Sequence, residues 1–232
     1  MSSRLEINAI VTDILLLDVV GFSTLSNHDQ FISALLINNK IRESIQTLGI
    51  QTLLEPDEIV SGLISTGDGF YVILDRKVAG YGPFFALSLR NYFLLESDLY
   101  HGVRIAVHLG SAIPFVDVTE RNNFIGEGIN DCSRLLENKK IVKKALKFSG
   151  DSNSVIISRE CWEHFITMFP LDGMRDFFDM IDFRYSDEYG FKDKNGMPHY
   201  VRFIESSRFV ELFPPRPHEM KKRPDGTQKN DI

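Results

Sequence analysis

The sequence predicts one α+β domain in which strands and helices follow the order βαββαβ around an antiparallel sheet. Short runs rich in Ile, Leu and Val alternate with longer segments whose apolar residues recur at helical spacing. A Gly-Asp-Gly sequence at 67–69 separates two of the short runs and is typical of a tight hairpin. The chain has 232 residues, of which 43% are hydrophobic, enough for one sizeable core.

Six elements define this core. In chain order they are a strand at 9–20, a helix at 29–48, strands at 58–65 and 70–74, a helix at 78–99 and a strand at 102–113. Glycines end the first strand and the first helix, and the second helix has an irregular start because it contains two glycines and a proline. This order is the ferredoxin-like plan, which places both helices on one face of the sheet.

Further elements extend the core. They are a helix at 129–146, a strand at 154–157, a helix at 159–169, and strands at 177–185 and 200–205. From Phe213 onward, Pro, Lys and polar residues follow one another without periodicity. We therefore predict a domain over 1–212 and a disordered tail over 213–232.

Charge and cysteine content narrow the class of protein. The net charge of −6 argues against duplex nucleic acid as the main partner. Cys132 and Cys161 are too few for a disulfide framework, which favours a reducing cytoplasm. The polar residues 1–8 do not resemble a signal peptide, and no apolar run is long enough to span a bilayer. We expect a cytoplasmic protein without a membrane segment.

Two carboxylates occupy positions that suit a metal site. Asp18 ends the first apolar strand just before Gly21, and a carboxylate there needs a partner such as a turn amide or a divalent cation. Asp68 lies in the Gly-Asp-Gly hairpin, which by itself is explained by turn formation. In a ferredoxin-like sheet, however, the first strand lies beside the strand that follows this hairpin. The two carboxylates would then face a gap suited to two metal ions.

A third motif lies at 124–136. Asn130 and Arg134 are four residues apart, so they share one face of a helix. An amide and a guanidinium on one face suit a ribose and a phosphate, although both residue types are also common on solvent-facing helices.

These motifs together resemble the catalytic domains of class III adenylyl and guanylyl cyclases. The segment from Asp18 to Leu25 is similar to the family's first-strand motif, and Gly67-Asp68-Gly69 resembles its second metal site. The strand 103–110 is similar to the central strand signature, and 126–134 matches Gly-x-x-x-Asn-x-x-x-Arg in order and spacing. The resemblance covers about residues 8–205.

The resemblance implies a set of roles. Asp18, Asp68 and the Val19 carbonyl would hold two divalent ions, Mn²⁺ or Mg²⁺. Backbone amides of Gly21, Phe22 and Ser23 would hold the β- and γ-phosphates of a nucleoside triphosphate.

Further implied roles belong to the later motifs. Asn130 would orient the ribose, and Arg134 would stabilise charge on the α-phosphate. Lys192, or Lys194 in its place, would bind the terminal phosphates. Family members build each site from two chains, so the resemblance implies a homodimer with two shared sites.

Two positions depart from the family pattern for purines. Adenylyl cyclases place Lys and Asp, and guanylyl cyclases usually Glu and Cys, where this chain has Ile64 and Asn123. Ile64 cannot hydrogen-bond a base, whereas Asn123 offers a donor and an acceptor to a uracil or cytosine edge. A compact cyclase without purine-reading residues resembles the pyrimidine cyclases of bacterial anti-phage (Pycsar) systems. That resemblance implies cyclic UMP or cyclic CMP as the product, of which we expect cyclic UMP, and a separate effector protein that responds to it.

Other functions stay open on the sequence. Within the family, the chain would be a cytidylate cyclase or a purine cyclase with an altered base pocket. A nucleotide-binding pseudo-cyclase that regulates a partner is a different class, and so is a plain interaction domain, which leaves the motif set unexplained.

Overall fold

The βαββαβ core is present in the computed structural model, which describes residues 8–95, 102–118, 120 and 122–212. Its elements are β1 (Ile10–Val19), α1 (Asn27–Thr52), β2 (Val60–Ser65), β3 (Gly69–Leu74), α2 (Gly82–Leu94) and β4 (Val103–Val116). The core strands lie in the order β2-β3-β1-β4 and all pair antiparallel, so β1 is central. This confirms the ferredoxin-like α+β prediction.

Further elements extend the sheet beyond β4. They are β5 (Asn122–Ile125), α3 (Glu127–Glu137), α4 (Lys139–Ser149), β6 (Ser154–Ser158), α5 (Arg159–Met168), α6 (Arg175–Met180), β7 (Phe183–Tyr185), β8 (Tyr189–Lys192), β9 (Pro198–Ser206) and α7 (Phe209–Leu212). Strand β6 pairs parallel to β4, and β9 and β7 follow it in antiparallel pairing. Strand β5 pairs with the far end of β4, and β8 pairs with β9.

Alternate side chains of β1 pack into two separate hydrophobic cores. Leu15, Leu17 and Val19 pack with apolar residues of α1, α2 and α5 on one face of the sheet. Ile14 and Leu16 pack with α3 and α4 on the opposite face. Burial on both faces explains why this strand reads as a continuous apolar run. The sheet is thereby fixed between two helical layers, and α1 and α2 share one face as predicted.

Two predicted elements are wrong in detail. The single helix at 129–146 is two helices, because Asn138 leaves the helical conformation and its side chain accepts hydrogen bonds from the first amides of α4. Residues 177–185 are not one strand, since α6 occupies their first part and β7 only their last three residues. Phe177 and Phe178 there both contact the Phe84 ring. Adjacent residues of a strand point to opposite faces of the sheet, so this shared contact does not suit the predicted strand.

Some predictions fall outside the described residues. The tail predicted at 213–232 lies beyond them, and so does the end of the predicted helix at 78–99, which in the described part begins at Gly82. Within the described ranges, no helix combines the length and apolar character needed to cross a bilayer.

A buried carboxylate joins β1 to the start of α2. Asp13 is fully buried and accepts hydrogen bonds from the backbone amides of Gly80 and Gly82 at 2.6 and 2.8 Å. Burial raises the pKa of Asp13 to about 6, although the two amide hydrogen bonds and nearby His164 act in the opposite direction. The folded protein therefore binds a proton here more tightly than the unfolded chain does.

This shift predicts a pH-dependent difference between Asp13→Asn and the wild type. The neutral form of Asp13 is favoured in the folded state, so its contribution to stability is present below about pH 4 and is lost as the pH rises through about 6. Asparagine keeps an acceptor for the two amides and does not titrate. Urea unfolding at about pH 4 and about pH 7 should show the variant gaining about 2–3 kcal/mol relative to the wild type. A difference that is constant across this range would contradict the assignment.

Candidate active site

Backbone pairing brings Asp18 and Asp68 together at one end of the central strand. Asp18 lies opposite Gly69 in the β1–β3 register, and the Val19 amide donates to the Asp68 carbonyl at 3.0 Å. A Cβ on Gly69 would lie 1.8 Å from the Leu17 carbonyl oxygen, so only glycine allows the hairpin to approach this closely. Both carboxylates line one cavity of about 290 Å³.

An arginine that the sequence analysis did not assign completes this end of β1. Arg104 lies opposite Asp18 in the β1–β4 register, and its guanidinium forms an ion pair with the Asp18 carboxylate. Burial raises the pKa of Asp18, Arg104 lowers it, and the Asp68 charge raises it again, with a net increase. The carboxylate pair therefore favours added positive charge. Register alone would have revealed Arg104, since the residue that faces Asp18 follows from the strand pairing.

Two carboxylates are a partial set of metal ligands. Among the described residues, no cluster of three or more His, Cys, Asp or Glu side chains is placed to hold a metal ion. Hard cations such as Mg²⁺ commonly take one or two carboxylates and fill their other positions with water and substrate phosphates. Asp18 and Asp68 fit that pattern, with the Val19 carbonyl at the same strand end as an additional oxygen.

The segment after β1 turns sharply beside the carboxylates. Gly21 adopts a left-handed conformation with φ of 72°, and Phe22–Thr24 form one 3₁₀ turn. The Thr24 amide and hydroxyl both donate to the Gly21 carbonyl, at 2.9 and 2.7 Å, which fixes the turn. The first amides of such a turn have no acceptor within it. Gly21, Phe22 and Ser23 thus form a turn at the end of β1, and the phosphate-binding role that the family resemblance implies for them stays a prediction.

Helix α3 packs closely against β4 at two glycines, Gly110 and Gly128. A Cβ on Gly110 would lie 2.7 Å from the Gly128 Cα, and a Cβ on Gly128 would lie 2.8 Å from the Gly110 carbonyl carbon. The helix therefore rests directly on the strand backbone. Asn130, two residues after Gly128, is exposed, and Arg134 is half-buried about one turn beyond Asn130.

Arg134 lies in a second cavity with its own charged partners. Its Nε is 3.2 Å from Asp193 Oδ2, and its Nη1 contacts Asp131. This cavity measures about 150 Å³ and includes residues of α3, β4, α5 and the β8–β9 hairpin. Its lining residues include His108, Glu127, Asp131, Arg134, Ser158 and His199. Asp193 was not singled out from the sequence because its partner is distant in the chain.

The β8–β9 hairpin places two lysines near α3. Lys194 Nζ lies 3.3 Å from Glu137 Oε2 at the end of α3, and Lys192 is exposed at the end of β8. The structure therefore brings Lys192 and Lys194 to the hairpin that contacts Arg134. Arg134 lines a different cavity from Asp18 and Asp68, whereas Glu137, the partner of Lys194, lines the carboxylate cavity.

The two positions predicted to meet the base lie on contacting strands. Phe124 of β5 packs on Gly62 of β2. A Cβ on Gly62 would lie only 2.2 Å from the Phe124 ring. Ile64 of β2 packs against the core beneath α3. The Asn123 Oδ1 accepts a hydrogen bond from the Phe124 amide at 2.8 Å, so its NH₂ group is the end left for a ligand.

Sequence comparisons find no relatives, whereas structural comparisons do. No protein-family model matches the sequence, and no curated protein matches it. The adenylyl cyclase CyaB from P. aeruginosa aligns with a TM-score of 0.55 and 14% identity, over 86% of this chain and 96% of its own.

Two guanylyl cyclases align similarly. Guanylyl cyclase Cya2 gives a TM-score of 0.53 and 12% identity, over 86% of this chain and 94% of its own. The catalytic core of a rhodopsin-guanylyl cyclase with converted specificity, in complex with ATPαS, also aligns. Its TM-score is 0.53 and its identity 13%, over 88% of this chain and 100% of its own. The chain therefore has the fold of class III adenylyl and guanylyl cyclase catalytic domains.

Proposed function

We propose that this protein is a nucleotide cyclase that converts a nucleoside triphosphate into a 3′,5′-cyclic monophosphate and pyrophosphate. The observation that carries the proposal is the convergence of Asp18 and Asp68 at the end of β1, on a cyclase fold. The ribose 3′-oxygen attacks the α-phosphorus, the bond from that phosphorus to the β-phosphate oxygen breaks, and the hydroxyl proton passes to solvent. Two divalent ions held by Asp18, Asp68 and the Val19 carbonyl would lower the pKa of this hydroxyl and neutralise the leaving pyrophosphate.

The chain's own residues bind and orient the substrate. The amides of the turn at Gly21, Phe22 and Ser23 hold the β- and γ-phosphates at the same strand end as the carboxylates. Arg134 meets the α-phosphate, where negative charge is redistributed in the transition state, and Asn130 holds the ribose. Lys192 binds the terminal phosphates, and Lys194 is the alternative because it lies on the same hairpin.

A second copy of the chain completes each site. The carboxylates line one cavity and Arg134 lines another, and this proposal assigns the two cavities to different half-sites of the protomer. In a two-fold dimer, the carboxylate half of one protomer faces the Asn130–Arg134 half of its partner. Both halves are present in every chain, so a homodimer contains two equivalent sites.

The substrate of this proposal is UTP, with CTP as the main competitor. Ile64 offers no hydrogen bond to a purine edge. The free NH₂ of Asn123 donates, which suits the O4 carbonyl of uracil better than the amino group that cytosine carries at that position. The product would be cyclic UMP, made in the cytoplasm and sensed by a separate effector protein in anti-phage defence, as in the pyrimidine cyclases that the sequence resembles.

The metal pair is tested by removing either carboxylate. Asp18→Ala and Asp68→Ala should each lower cyclisation by about a hundredfold or more, a loss of about 2.7 kcal/mol of transition-state stabilisation. Asp57→Ala, which removes an exposed carboxylate before β2, is the matched control and should behave as the wild type. Product formation is measured with saturating Mn²⁺ and triphosphate. Near-normal turnover by either active-site variant would refute the two-ion assignment.

The shared site is tested by mixing inactive variants. After subunit exchange, half of the dimers formed from Asp68→Ala and Arg134→Ala are mixed, and each has one intact site, so about a quarter of wild-type activity should return. Mixing Asp18→Ala with Asp68→Ala is the control. Both lesions fall in the same half-site, so this mixture should stay inactive. If the first mixture also stays inactive although exchange is verified, each site lies within one chain.

Base choice is tested with the four ribonucleoside triphosphates in parallel. An unpaired buried polar group costs about 1–3 kcal/mol, so two missing purine contacts should disfavour ATP and GTP by about a hundredfold or more. Asn123→Ala should reduce the preference for UTP more than it weakens triphosphate binding, which depends on the phosphates. Initial rates of pyrophosphate release give the comparison. Equal or faster turnover of ATP or GTP would overturn the pyrimidine assignment and leave the cyclase assignment intact.

A further inference from the structure

The turn between β8 and β9 contains a buried carboxylate to which the proposed function gives no role. Asp193 follows Lys192 directly, and only 2% of its side chain is exposed. Its neighbours Lys194, Asn195 and Gly196 are all exposed. A buried carboxylate in an exposed turn needs hydrogen-bond or ionic partners, because burial disfavours its charged form.

The hairpin's own backbone fixes this carboxylate. Asp193 Oδ1 accepts hydrogen bonds from the amides of Asn195 and Met197 at 2.9 and 2.8 Å. The Asp193 amide donates to the Met197 carbonyl, and the Gly196 amide donates to the Asp193 carbonyl, both at 3.0 Å. Gly196 has a φ of 82°, which closes the turn. These bonds hold the side chain in one orientation and leave Oδ2 facing away from the turn.

Asp193 Oδ2 faces a guanidinium and an imidazole. Arg134 Nε lies at 3.2 Å and His199 Nε2 at 3.5 Å. Burial favours the neutral acid, but the two turn amides, His199 and Arg134 hold the pKa of Asp193 below its usual value. The carboxylate is therefore ionised at neutral pH and attracts the guanidinium.

Arg134 has a carboxylate beside two of its three nitrogens. Asp193 lies at Nε, and Asp131, one turn earlier on α3, contacts Nη1. A guanidinium is planar, so fixing two nitrogens also fixes the direction of the third. Nη2 remains for a ligand. An arginine side chain without such partners would rotate freely and would have to be ordered when the substrate binds, at a cost in side-chain entropy.

We infer that Asp193 is a positioning residue for Arg134, which orients the guanidinium so that its remaining nitrogen meets the α-phosphate of the substrate. The contact also joins α3 to the hairpin that carries Lys192. This inference rests on the proposed role of Arg134 in the cyclase reaction.

Asp193→Asn tests the inference with little change to the turn. Asparagine keeps an Oδ1 that accepts from Asn195 and Met197, but it places an NH₂ donor against the Arg134 Nε–H. The kcat for cyclisation should fall about tenfold to a hundredfold, with KM for the triphosphate within about twofold. The melting temperature should stay within about 2 °C of the wild type. Asp187→Asn changes an exposed carboxylate in the preceding loop and should leave both constants unchanged.

A double variant shows whether Asp193 acts through Arg134. Arg134→Ala and Arg134→Ala with Asp193→Asn should have equal residual rates, because the second change then has nothing left to position. An Asp193→Asn enzyme with wild-type kcat would overturn the inference, while the loss of activity in Arg134→Ala would still support the proposed function. An active Arg134→Ala enzyme would instead overturn the role of Arg134 in that function.

Side-chain NMR of the wild type tests the contact without activity. The Arg134 Nε–H resonance, identified by its absence in Arg134→Ala, should be resolved from the exposed arginines and exchange slowly with water. In Asp193→Asn it should move to their position. An Arg134 resonance that already averages with the exposed arginines in the wild type would overturn the inference, whether or not the protein cyclises a nucleotide.

Discussion

The pairing of β1 with β3 is the constraint on which the rest of the site depends. It brings two carboxylates to one strand end, where burial and the charge of Asp68 both raise the pKa of Asp18. Positive charge nearby offsets both effects. Arg104 supplies part of it from the neighbouring strand, and the remaining demand makes this end of the sheet a suitable place for divalent cations and a triphosphate. The hydrophobic layers on both faces fix the strands and so prevent the carboxylates from separating.

The close contact of α3 with β4 determines where Arg134 lies. Gly110 and Gly128 let the helix backbone rest on β4, and Arg134, further along the helix, pairs with Asp193 of the β8–β9 hairpin. Arg134 and the two carboxylates line different cavities, which is the basis of the proposed shared site. In the proposed dimer, the carboxylates of one protomer would meet Arg134 of its partner. Catalysis and assembly would then be coupled, because no site would be complete without the partner.

The core and the carboxylate pair follow from local sequence signals, whereas the other charged contacts do not. The apolar run of β1 and the Gly-Asp-Gly hairpin are local, and together they predict which strands pair and thus where Asp18 and Asp68 meet. The break at Asn138 was missed because its neighbours keep helical periodicity on both sides of it. Asp193 was missed because its partner Arg134 is 59 residues earlier in the sequence. Contacts between distant surface charges depend on how the hairpin packs, which periodicity does not report.

The identity of the product tests the central claim most directly. Cyclisation and hydrolysis of a triphosphate both release phosphate groups, but a 3′,5′-cyclic monophosphate is lighter than the linear monophosphate by one water molecule. Mass spectrometry of wild-type protein incubated with Mn²⁺ and UTP should therefore find cyclic UMP and pyrophosphate in equal amounts. Unchanged nucleotide with all four triphosphates, or only linear uridine phosphates, would contradict the account and favour a domain that binds nucleotides without cyclising them.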